Sequence, residues 1–289
     1  MKGKIIQSLS GFYDVVSDET IYRCKASGKF RKNAFKPVVG DECEFQIENE
    51  TEGYIKLIYP RLNSLVRPPI SNVDQALLVF SCKEPDMNTL LLDRFLLEIE
   101  SRNIKPIIII TKVDLDDHEI HDIMKPYVDS GYDVLYTSSK DHQGIDTIKS
   151  LFKDKVTVIT GQSGVGKSSL LNALDLSLNI ETGEISKVLG RGKHTTRHTQ
   201  LIKMYDGYVA DTPGFSSLEM TITPRDLAVT YHDFKALSAS CKFRGCLHDH
   251  EPDCAVKQAV EEKKISKERY EHYLMFLKES KEKEEKKYG

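Results

Sequence analysis

The chain has 289 residues, of which 39% are hydrophobic and 29% are charged, and its formal net charge is −3. This composition is that of a globular protein with roughly two or three compact units, and it excludes polyanion binding through overall charge alone. The sequence has no apolar run near the roughly 20 residues that cross a membrane, and its start lacks a signal-peptide pattern. We therefore expect a cytoplasmic protein without a membrane partner.

Residues 1–65 predict a small β-barrel. Five short segments alternate apolar and polar residues between Gly, Asp and Asn turns, as half-buried strands do. A five-stranded OB-type barrel fits that number, and an SH3-like barrel would give almost the same pattern. Residues 1–40 carry eight Lys or Arg against three acidic residues. Such local positive charge is typical of a nucleic-acid contact, and the alternative is a solvated basic face.

Residues 66–218 predict an α/β domain. Apolar runs such as QALLVF, KPIIIIT and KVTVITG alternate with segments of helical periodicity. This alternation indicates a parallel sheet with helices on both faces. In such sheets, ligands bind in the loops that follow the carboxyl ends of the strands. We therefore expect the ligand-binding and catalytic residues in those loops.

The strongest motif is the segment GQSGVGKSS, which follows an apolar strand and precedes an apolar helix. Its glycines let backbone N–H groups curl around phosphate oxygens, and the positive end of the helix dipole faces the same anion. Lys167 supplies a catalytic cation to the outer phosphates, and the Ser168 hydroxyl can ligate Mg²⁺. The predicted phosphate-binding residues are Gly161, Gln162, Ser163, Gly164, Val165, Gly166, Lys167, Ser168 and Ser169.

Three further motifs indicate GTP and GDP rather than adenine nucleotides. Asp211 and Gly214, in the segment DTPG, follow an apolar strand and are placed to hold Mg²⁺ through water and to meet the γ-phosphate. The Asp114 carboxylate can accept both N–H donors of guanine, which adenine does not offer. The base-reading residues predicted in the segments TKVD and SSK are Thr111, Lys112, Val113, Asp114, Ser138 and Ser139.

The motifs occur in an unusual order. The translational GTPase superclass runs from phosphate loop through switch threonine, DxxG and N/TKxD to SAK, whereas this chain runs TKVD, SSK, phosphate loop, HTT and DTPG. This is a circular permutation, which folded proteins tolerate because their termini and loops lie at the surface. A permuted GTPase with an N-terminal barrel and a C-terminal Cys/His cluster resembles the bacterial ribosome small-subunit-dependent GTPases.

The resemblance covers roughly residues 1–275 and implies a function. The chain would hydrolyse GTP to GDP and phosphate as a late assembly factor of the small ribosomal subunit. The subunit would stimulate the hydrolysis, and the barrel would be an OB fold that contacts ribosomal RNA. Nothing in the sequence calls for more than a monomer.

Two positions depart from the common GTPase pattern. Thr111 stands where Asn is more frequent, so the amide that would bond the purine is missing. Phe215 follows DTPG, where many GTPases have a water-orienting Gln; the resembled family also has a hydrophobic residue there. We expect slow intrinsic turnover, with a missing group supplied by a partner or another loop. The candidate is His194, for which contact with RNA or solvent is the alternative. Either Thr195 or, as we favour, Thr196 would ligate Mg²⁺.

Residues 219–289 predict a charged helical unit that contains a metal site. Three thiolates and one imidazole within fourteen residues are the ligand set of a structural Zn²⁺. His250 competes as a ligand, but the family pattern favours His248. The last twelve residues, KESKEKEEKKYG, predict an exposed helix end. The predicted zinc ligands are Cys241, Cys246, His248 and Cys254.

One alternative function stays open from the sequence. A nucleotide-gated RNA-binding module with incidental hydrolysis would also carry these motifs, and Phe215 and the basic segments favour it. A phosphotransferase would have a phosphate loop as well. It would leave the TKVD segment unexplained.

Overall fold

The computed structural model describes residues 1–28, 30, 36–66, 69–116, 118–175, 200–210 and 222–288. The chain divides into two compact units. The first contains Met1–Leu77 and Gly144–Ser216, and the second contains Leu78–Gln143 and Ser217–Gly289. The domain boundaries predicted after residues 65 and 218 stay predictions.

The first unit begins with a closed five-stranded barrel, as the alternating pattern predicts. Buried and exposed residues alternate along its strands, so one side of each strand faces a common core. The core includes Ile5, Val15, Phe45 and Ile55. The strands are β1 (Lys2–Leu9), β2 (Phe12–Ser17), β3 (Thr20–Ala26), β4 (Glu42–Ile47) and β5 (Glu52–Ile58).

The strand order β1-β2-β3-β5-β4 identifies the barrel as OB-type. Strands β3 and β5 pair in parallel, with Arg23 opposite Glu52, and β1 pairs with β4 to close the barrel. Gly53 lets β5 lie close to β4, because a Cβ there would lie 2.6 Å from the carbonyl oxygen of Gln46. The OB-type prediction is confirmed.

A short hairpin of β6 (Ser64–Leu65) and β7 (Ile70–Ser71) follows the barrel. Hydrogen bonds to Asp41, whose side chain is fully buried, hold this hairpin against the barrel. Arg61 Nε donates to Asp41 Oδ1 at 2.7 Å, and the Ser71 hydroxyl donates to the same oxygen at 2.6 Å. The buried carboxylate is therefore both paired and hydrogen-bonded, as buried charges must be.

A six-stranded sheet has the order β10-β9-β8-β11-β13-β12. Its inner strands are buried on both faces, as the continuous apolar runs predict. The sheet is mixed rather than wholly parallel, because β12 runs antiparallel to β13. The reason is the two-residue turn Tyr205–Asp206, in which both residues have positive φ angles, as tight hairpins require. The strands are β8 (Gln75–Ser81), β9 (Lys105–Thr111), β10 (Asp133–Tyr136), β11 (Val156–Thr160), β12 (Leu201–Met204) and β13 (Gly207–Ala210).

Helices lie between the strands, in keeping with the predicted α/β class. Helix α1 begins where the Asn88 side chain accepts a hydrogen bond from the Leu91 amide at 2.9 Å, which caps its first turn. A single 3₁₀ turn spans Val113–Leu115. The helices of this region are α1 (Thr89–Glu100), α2 (Ile120–Asp129), α3 (Ile145–Ser150) and α4 (Lys167–Leu174).

The C-terminal part of the second unit is helical, as predicted. Its long last helix buries Arg269, Tyr273, Phe276 and Leu277 on one side, while its final turns are exposed. In the described parts of the chain, every helix is too short or too polar to cross a bilayer. The helices are α5 (Pro224–Leu227), α6 (His232–Ser238), α7 (Ala255–Glu261) and α8 (Lys267–Tyr288).

Candidate functional site

The phosphate loop connects the buried strand β11 to helix α4 in the first unit. Three of its residues, Gly161, Gly164 and Gly166, have φ angles of 153°, 83° and 90°. Residues with a Cβ rarely adopt such angles, so glycine at these positions is needed for the path of the loop. Because α4 begins at Lys167, the first N–H groups of the helix lie at the end of this loop without helical partners.

Lys167 and Ser168 occupy the start of α4. The Lys167 ammonium group donates to the carbonyl oxygen of Gly161 at 2.8 Å and to that of Gln162. Burial lowers the pKa of Lys167 from its ordinary value, because the charged form loses water. The Ser168 side chain is buried, and Ser163 and Gly164 are exposed at the loop tip. The arrangement can receive an anion of phosphate size next to a cation and a hydroxyl.

The TKVD segment lies in the second unit, at the carboxyl end of β9. Thr111 is buried, and its hydroxyl donates to the carbonyl oxygen of Phe80 at 3.1 Å. Lys112 adopts a left-handed backbone conformation with φ of 58°, which turns the chain sharply into the 3₁₀ turn of Val113 and Asp114. The Thr111 side chain thus holds the backbone of the neighbouring strand β8.

The SSK segment meets the TKVD segment within the same unit. The Ser138 hydroxyl donates to Asp114 Oδ1 at 2.8 Å, and the Asp141 amide donates to that hydroxyl at 3.2 Å. Ser138 is fully buried, Ser139 is half-buried and Asp114 is exposed. The Asp114 carboxylate is therefore held by Ser138 on one side and is open to solvent on the other, where it can accept hydrogen bonds from N–H donors.

Several predicted site residues lie outside the described residues. They include the switch segment and the candidate for the missing catalytic group, so the roles predicted for them stay predictions. These residues are His194, Thr195, Thr196, Asp211, Gly214 and Phe215.

The Cys/His cluster is assembled in the second unit. One ligand atom from each of four residues lies within 4.8 Å of all the others. His248 Nδ1 is 3.6 Å from Cys241 Sγ and 3.3 Å from Cys254 Sγ, and these two sulfurs are 3.9 Å apart. A tetrahedral Zn²⁺ separates its sulfur and nitrogen ligands by about 3.5–3.8 Å. The donor set and its spacing therefore fit Zn²⁺. The four residues are Cys241, Cys246, His248 and Cys254.

The surroundings of His248 orient its ring toward the thiols. Its Nε2 lies 3.0 Å from the carbonyl oxygen of Ala228, which can only accept, so Nε2 carries the proton and Nδ1 keeps a lone pair. The Ser238 hydroxyl lies 3.2 Å from the same Nε2. Burial lowers the pKa of His248, which favours the neutral ring that metals bind. The side chain of His250 is 93% exposed and lies outside the cluster.

Burial also changes the pKa values of the cysteine thiols. It raises the pKa of Cys246 to about 12, and nearby Cys254 and Cys241 act in the same direction. Three thiolates at this spacing are unfavourable without a positive charge, which a divalent cation supplies. The sequence reasoning missed Ala228 and Ser238, since a backbone carbonyl and a serine ten residues from the histidine leave no pattern in the sequence.

Two family profiles match this chain. Residues 58–221 match the profile of the RsgA GTPase family, and residues 2–55 match that of the RsgA N-terminal domain. The chain belongs to the RsgA GTPase family. As an RsgA GTPase, it is a hydrolase that acts on GTP and binds guanine nucleotides, and its core is circularly permuted.

Two relatives of the RsgA family are similar over nearly their whole length. The small ribosomal subunit biogenesis GTPase RsgA of Shouchella clausii (strain KSM-K16) is 54% identical, with 96% of this chain and 97% of that protein covered. The protein of the same name from Bacillus subtilis (strain 168) is 53% identical, with 97% and 98% covered.

Two solved structures have the same fold. The crystal structure of YloQ, described as a circularly permuted GTPase, has a TM-score of 0.84 and 48% identity, and covers 98% of this chain and 95% of its own. The crystal structure of YjeQ from Thermotoga maritima has a TM-score of 0.84 and 34% identity, with 96% and 98% covered.

Proposed function

We propose that this chain is an assembly factor of the small ribosomal subunit whose GTP hydrolysis is stimulated by that subunit and its rRNA. Relatives with this function in their names are 53% and 54% identical over nearly the full chain. The observation that supports the use of GTP is the phosphate loop, where three glycines with positive φ precede a helix that starts with Lys167. An RNA-rich particle is also consistent with the basic N-terminal region.

The phosphate loop binds the phosphates of the nucleotide. In this proposal the Lys167 ammonium leaves the carbonyl oxygens of Gly161 and Gln162 and donates to the β- and γ-phosphates instead. The phosphates are the stronger acceptors because they are charged, whereas the carbonyl oxygens are neutral. The loop backbone from Gly161 to Ser169 supplies N–H donors, and the glycines leave room for the phosphate oxygens. Partial burial strengthens these contacts, because a lower dielectric weakens screening.

The TKVD and SSK segments read the base. The open side of the Asp114 carboxylate accepts the two N–H donors of guanine, and the Ser138 hydroxyl fixes the orientation of that carboxylate. Adenine presents an acceptor where guanine presents a donor, so an adenine nucleotide would leave the carboxylate facing a lone pair. Thr111, Lys112, Val113 and Ser139 form the backbone walls of this pocket.

The switch residues complete the site. Ser168, Thr196 and, through water, Asp211 would hold Mg²⁺, which neutralises charge between the β- and γ-phosphates during hydrolysis. The Gly214 amide would contact the γ-phosphate. Phe215 cannot orient a water molecule, so His194 or a group from the particle supplies that function.

The Cys/His cluster holds a structural Zn²⁺ in this proposal. Its four protein ligands leave no position for a substrate, which is typical of structural rather than catalytic sites. The ion would link the loop of Cys241–Cys254 to the start of α7, and Ser238 at the end of α6 contacts its ligand His248. These elements are too short to form a core alone. The chain acts as a monomer in the bacterial cytoplasm, where its proposed particle is assembled.

The test compares phosphate release from GTP and ATP, with and without purified small ribosomal subunits. The variants are the wild-type chain, Lys167→Ala and, as a matched control, Lys149→Ala, whose side chain makes an exposed pair with Asp146. We expect a slow, GTP-selective rate that the subunit raises by orders of magnitude, with loss of hydrolysis in Lys167→Ala alone. A rate that the subunit leaves unchanged would contradict the ribosomal role and would favour incidental hydrolysis in an RNA-binding module.

A further inference from the structure

The ligand loop, residues 247–249, supplies the imidazole of the Cys/His cluster from its middle residue. The chain bends sharply at His248, whose φ angle of 56° lies in the left-handed region that residues with a Cβ rarely adopt. The His248 side chain is fully buried. A residue keeps such a conformation only where its surroundings hold the backbone in place. The groups that hold the ligand loop therefore decide where the imidazole ring points.

The Glu251 carboxylate holds the residues on both sides of His248. One of its oxygens accepts a hydrogen bond from the Leu247 amide at 2.8 Å, and the other accepts one from the Asp249 amide at 3.0 Å. Hydrogen bonds to a charged acceptor are stronger than those between neutral groups. A carboxylate with one amide on each oxygen therefore fixes the path of the backbone through His248.

The amide of His248 itself has a different partner. It donates to Cys246 Sγ, at a distance of 3.4 Å. Of three consecutive amides, the outer two thus donate to Glu251 and the middle one donates to a sulfur of the cluster. A hydrogen bond to the charged form of a thiol favours that form, which is the form that metals bind. By fixing the ligand loop, Glu251 places both the ring and the amide of His248 at the cluster.

The carbonyl groups of the ligand loop are held by helix α8. The Tyr273 hydroxyl donates to the Leu247 carbonyl oxygen at 2.6 Å, and the Tyr270 hydroxyl donates to the His248 carbonyl oxygen at 2.6 Å. These two bonds attach the loop to the helix. The bonds of Glu251 differ, because they come from one side chain and fall on either side of the metal-binding residue.

We propose that Glu251 is a positioning residue for zinc, which acts through His248 and sets the affinity of the Cys/His cluster for the ion. Side chains that hold metal ligands in place typically contribute about 10- to 100-fold in metal affinity. A ligand that is oriented before the ion arrives also loses less conformational freedom on binding. The inference rests on the zinc site of the proposed function and deepens it.

The test measures the zinc dissociation constant of the full chain by competition with a chromophoric chelator. Glu251→Ala removes both hydrogen bonds and should weaken zinc binding about 10- to 100-fold. Glu251→Gln keeps the length of the side chain and one acceptor oxygen, so its loss should be smaller. Glu262→Ala is the matched control, because it removes an exposed carboxylate at the end of α7 that pairs with Lys264. It should bind zinc like the wild type.

The dissociation constant separates positioning from general stabilisation. If Glu251 stabilised the folded chain equally with and without zinc, Glu251→Ala would lower both urea midpoints and leave the zinc dissociation constant unchanged. Absorption of the cobalt-substituted chain gives a second readout, since its d–d bands report the ligand geometry. In Glu251→Ala, the thiolate-to-cobalt charge-transfer band should persist while the d–d bands weaken and shift, because His248 no longer holds its place.

The outcomes distinguish this proposal from the zinc site on which it rests. Equal zinc dissociation constants in the wild type and Glu251→Ala would overturn the positioning role and leave the zinc site in place. The same loss of affinity in Glu262→Ala would trace the effect to negative charge in general and would also overturn the positioning role. A wild-type chain that binds no zinc would overturn the zinc site and the positioning role together.

Discussion

The Ser138 hydroxyl donates a 2.8 Å hydrogen bond to the Asp114 carboxylate, which joins two segments 24 residues apart in the chain. The bond fixes one carboxylate oxygen and leaves the exposed side of Asp114 open. A side chain that is oriented before its ligand arrives loses less conformational freedom on binding. In the proposed function, Ser138 would therefore position the Asp114 carboxylate for the base.

Ser138→Ala should weaken GDP binding about 5- to 10-fold. The variant removes a hydrogen bond to a charged group and frees the Asp114 side chain, and a 5- to 10-fold loss corresponds to about 1–1.4 kcal/mol, part of the roughly 1.5–3 kcal/mol of such a bond. Titration with a fluorescent GDP analogue measures the effect. Ser150→Ala removes an exposed hydroxyl that donates to the Thr147 carbonyl, and it should bind GDP like the wild type. Equal affinities of Ser138→Ala and Ser150→Ala would contradict the positioning role.

Asp114→Asn should change which base is bound. The asparagine amide presents a donor toward the exocyclic N–H of guanine, so GDP affinity should fall about 10- to 100-fold. Xanthine has a carbonyl oxygen at that position, which the same amide can bond, so XDP affinity should rise. Competition of GDP and XDP against the fluorescent analogue measures both values. A variant that still prefers GDP as strongly as the wild type would show that Asp114 does not contact the base.

The Cys/His cluster predicts one zinc equivalent in the purified chain. Cys254→Ser should lower the zinc content well below one equivalent. It should also increase amide exchange in α7, which starts at the ligand Cys254, and in α6, whose Ser238 contacts the ligand His248. Cys82→Ser, a buried cysteine away from the cluster whose thiol donates to the Lys112 carbonyl, is the matched control and should keep its zinc. Elemental analysis measures the zinc content of each variant, and hydrogen-exchange mapping measures the amide exchange. Full zinc content in Cys254→Ser would exclude this ligand set.

Much of the fold follows from local sequence patterns. The barrel strands are predictable because β2 alternates buried and exposed residues, and the phosphate loop is predictable because only glycine suits the φ angles of Gly161, Gly164 and Gly166. The antiparallel β12 was not predicted, since its direction depends on the two residues of a tight turn. Pairing order across the barrel likewise depends on contacts that no local pattern encodes.

Sequence reasoning did not predict the buried environment of Arg269. This side chain is 1% exposed and donates to Asp93, 176 residues away in sequence, at 3.1 Å and to Asp233 at 2.6 Å. The rings of Tyr127, Tyr132 and Tyr231 surround its guanidinium group at 5.0–5.2 Å. A charged residue in a charged helix usually faces water, so the sequence alone predicts a solvated position for it.

Arg269→Met should destabilise the chain by about 3–5 kcal/mol. Removing the guanidinium leaves the buried Asp233 carboxylate without its cation and leaves the buried Asp93 with His272 as its remaining ionic partner, which costs more than the ion pairs contribute. Urea unfolding followed by tyrosine fluorescence measures the loss. Arg94→Met, which breaks a half-exposed pair with Glu279, should cost less than about 1 kcal/mol. Similar losses in both variants would contradict the buried role of Arg269.

Glu100 gives the second unit a pH-dependent stability. Burial raises the pKa of this carboxyl from 4.5 to about 8, with Asp233 and Asp93 acting in the same direction and the Tyr132 hydrogen bond and Arg269 opposing them. The folded chain therefore keeps a proton that the unfolded chain releases. Stability should fall as pH rises from about 4.5 and should level off above about 8.

Glu100→Gln should remove this part of the pH dependence. Each pH unit between the unfolded and folded pKa values changes the free energy of unfolding by about 1.4 kcal/mol, so the wild type should lose about 2 kcal/mol more than the variant between pH 6 and pH 8. The pKa of His272 is also raised, chiefly by its bond to Asp93, and its contribution falls with pH in the same direction. Since both chains keep His272, the difference between their urea midpoints isolates Glu100. Parallel pH profiles for the two chains would show that Glu100 is already charged in the folded state.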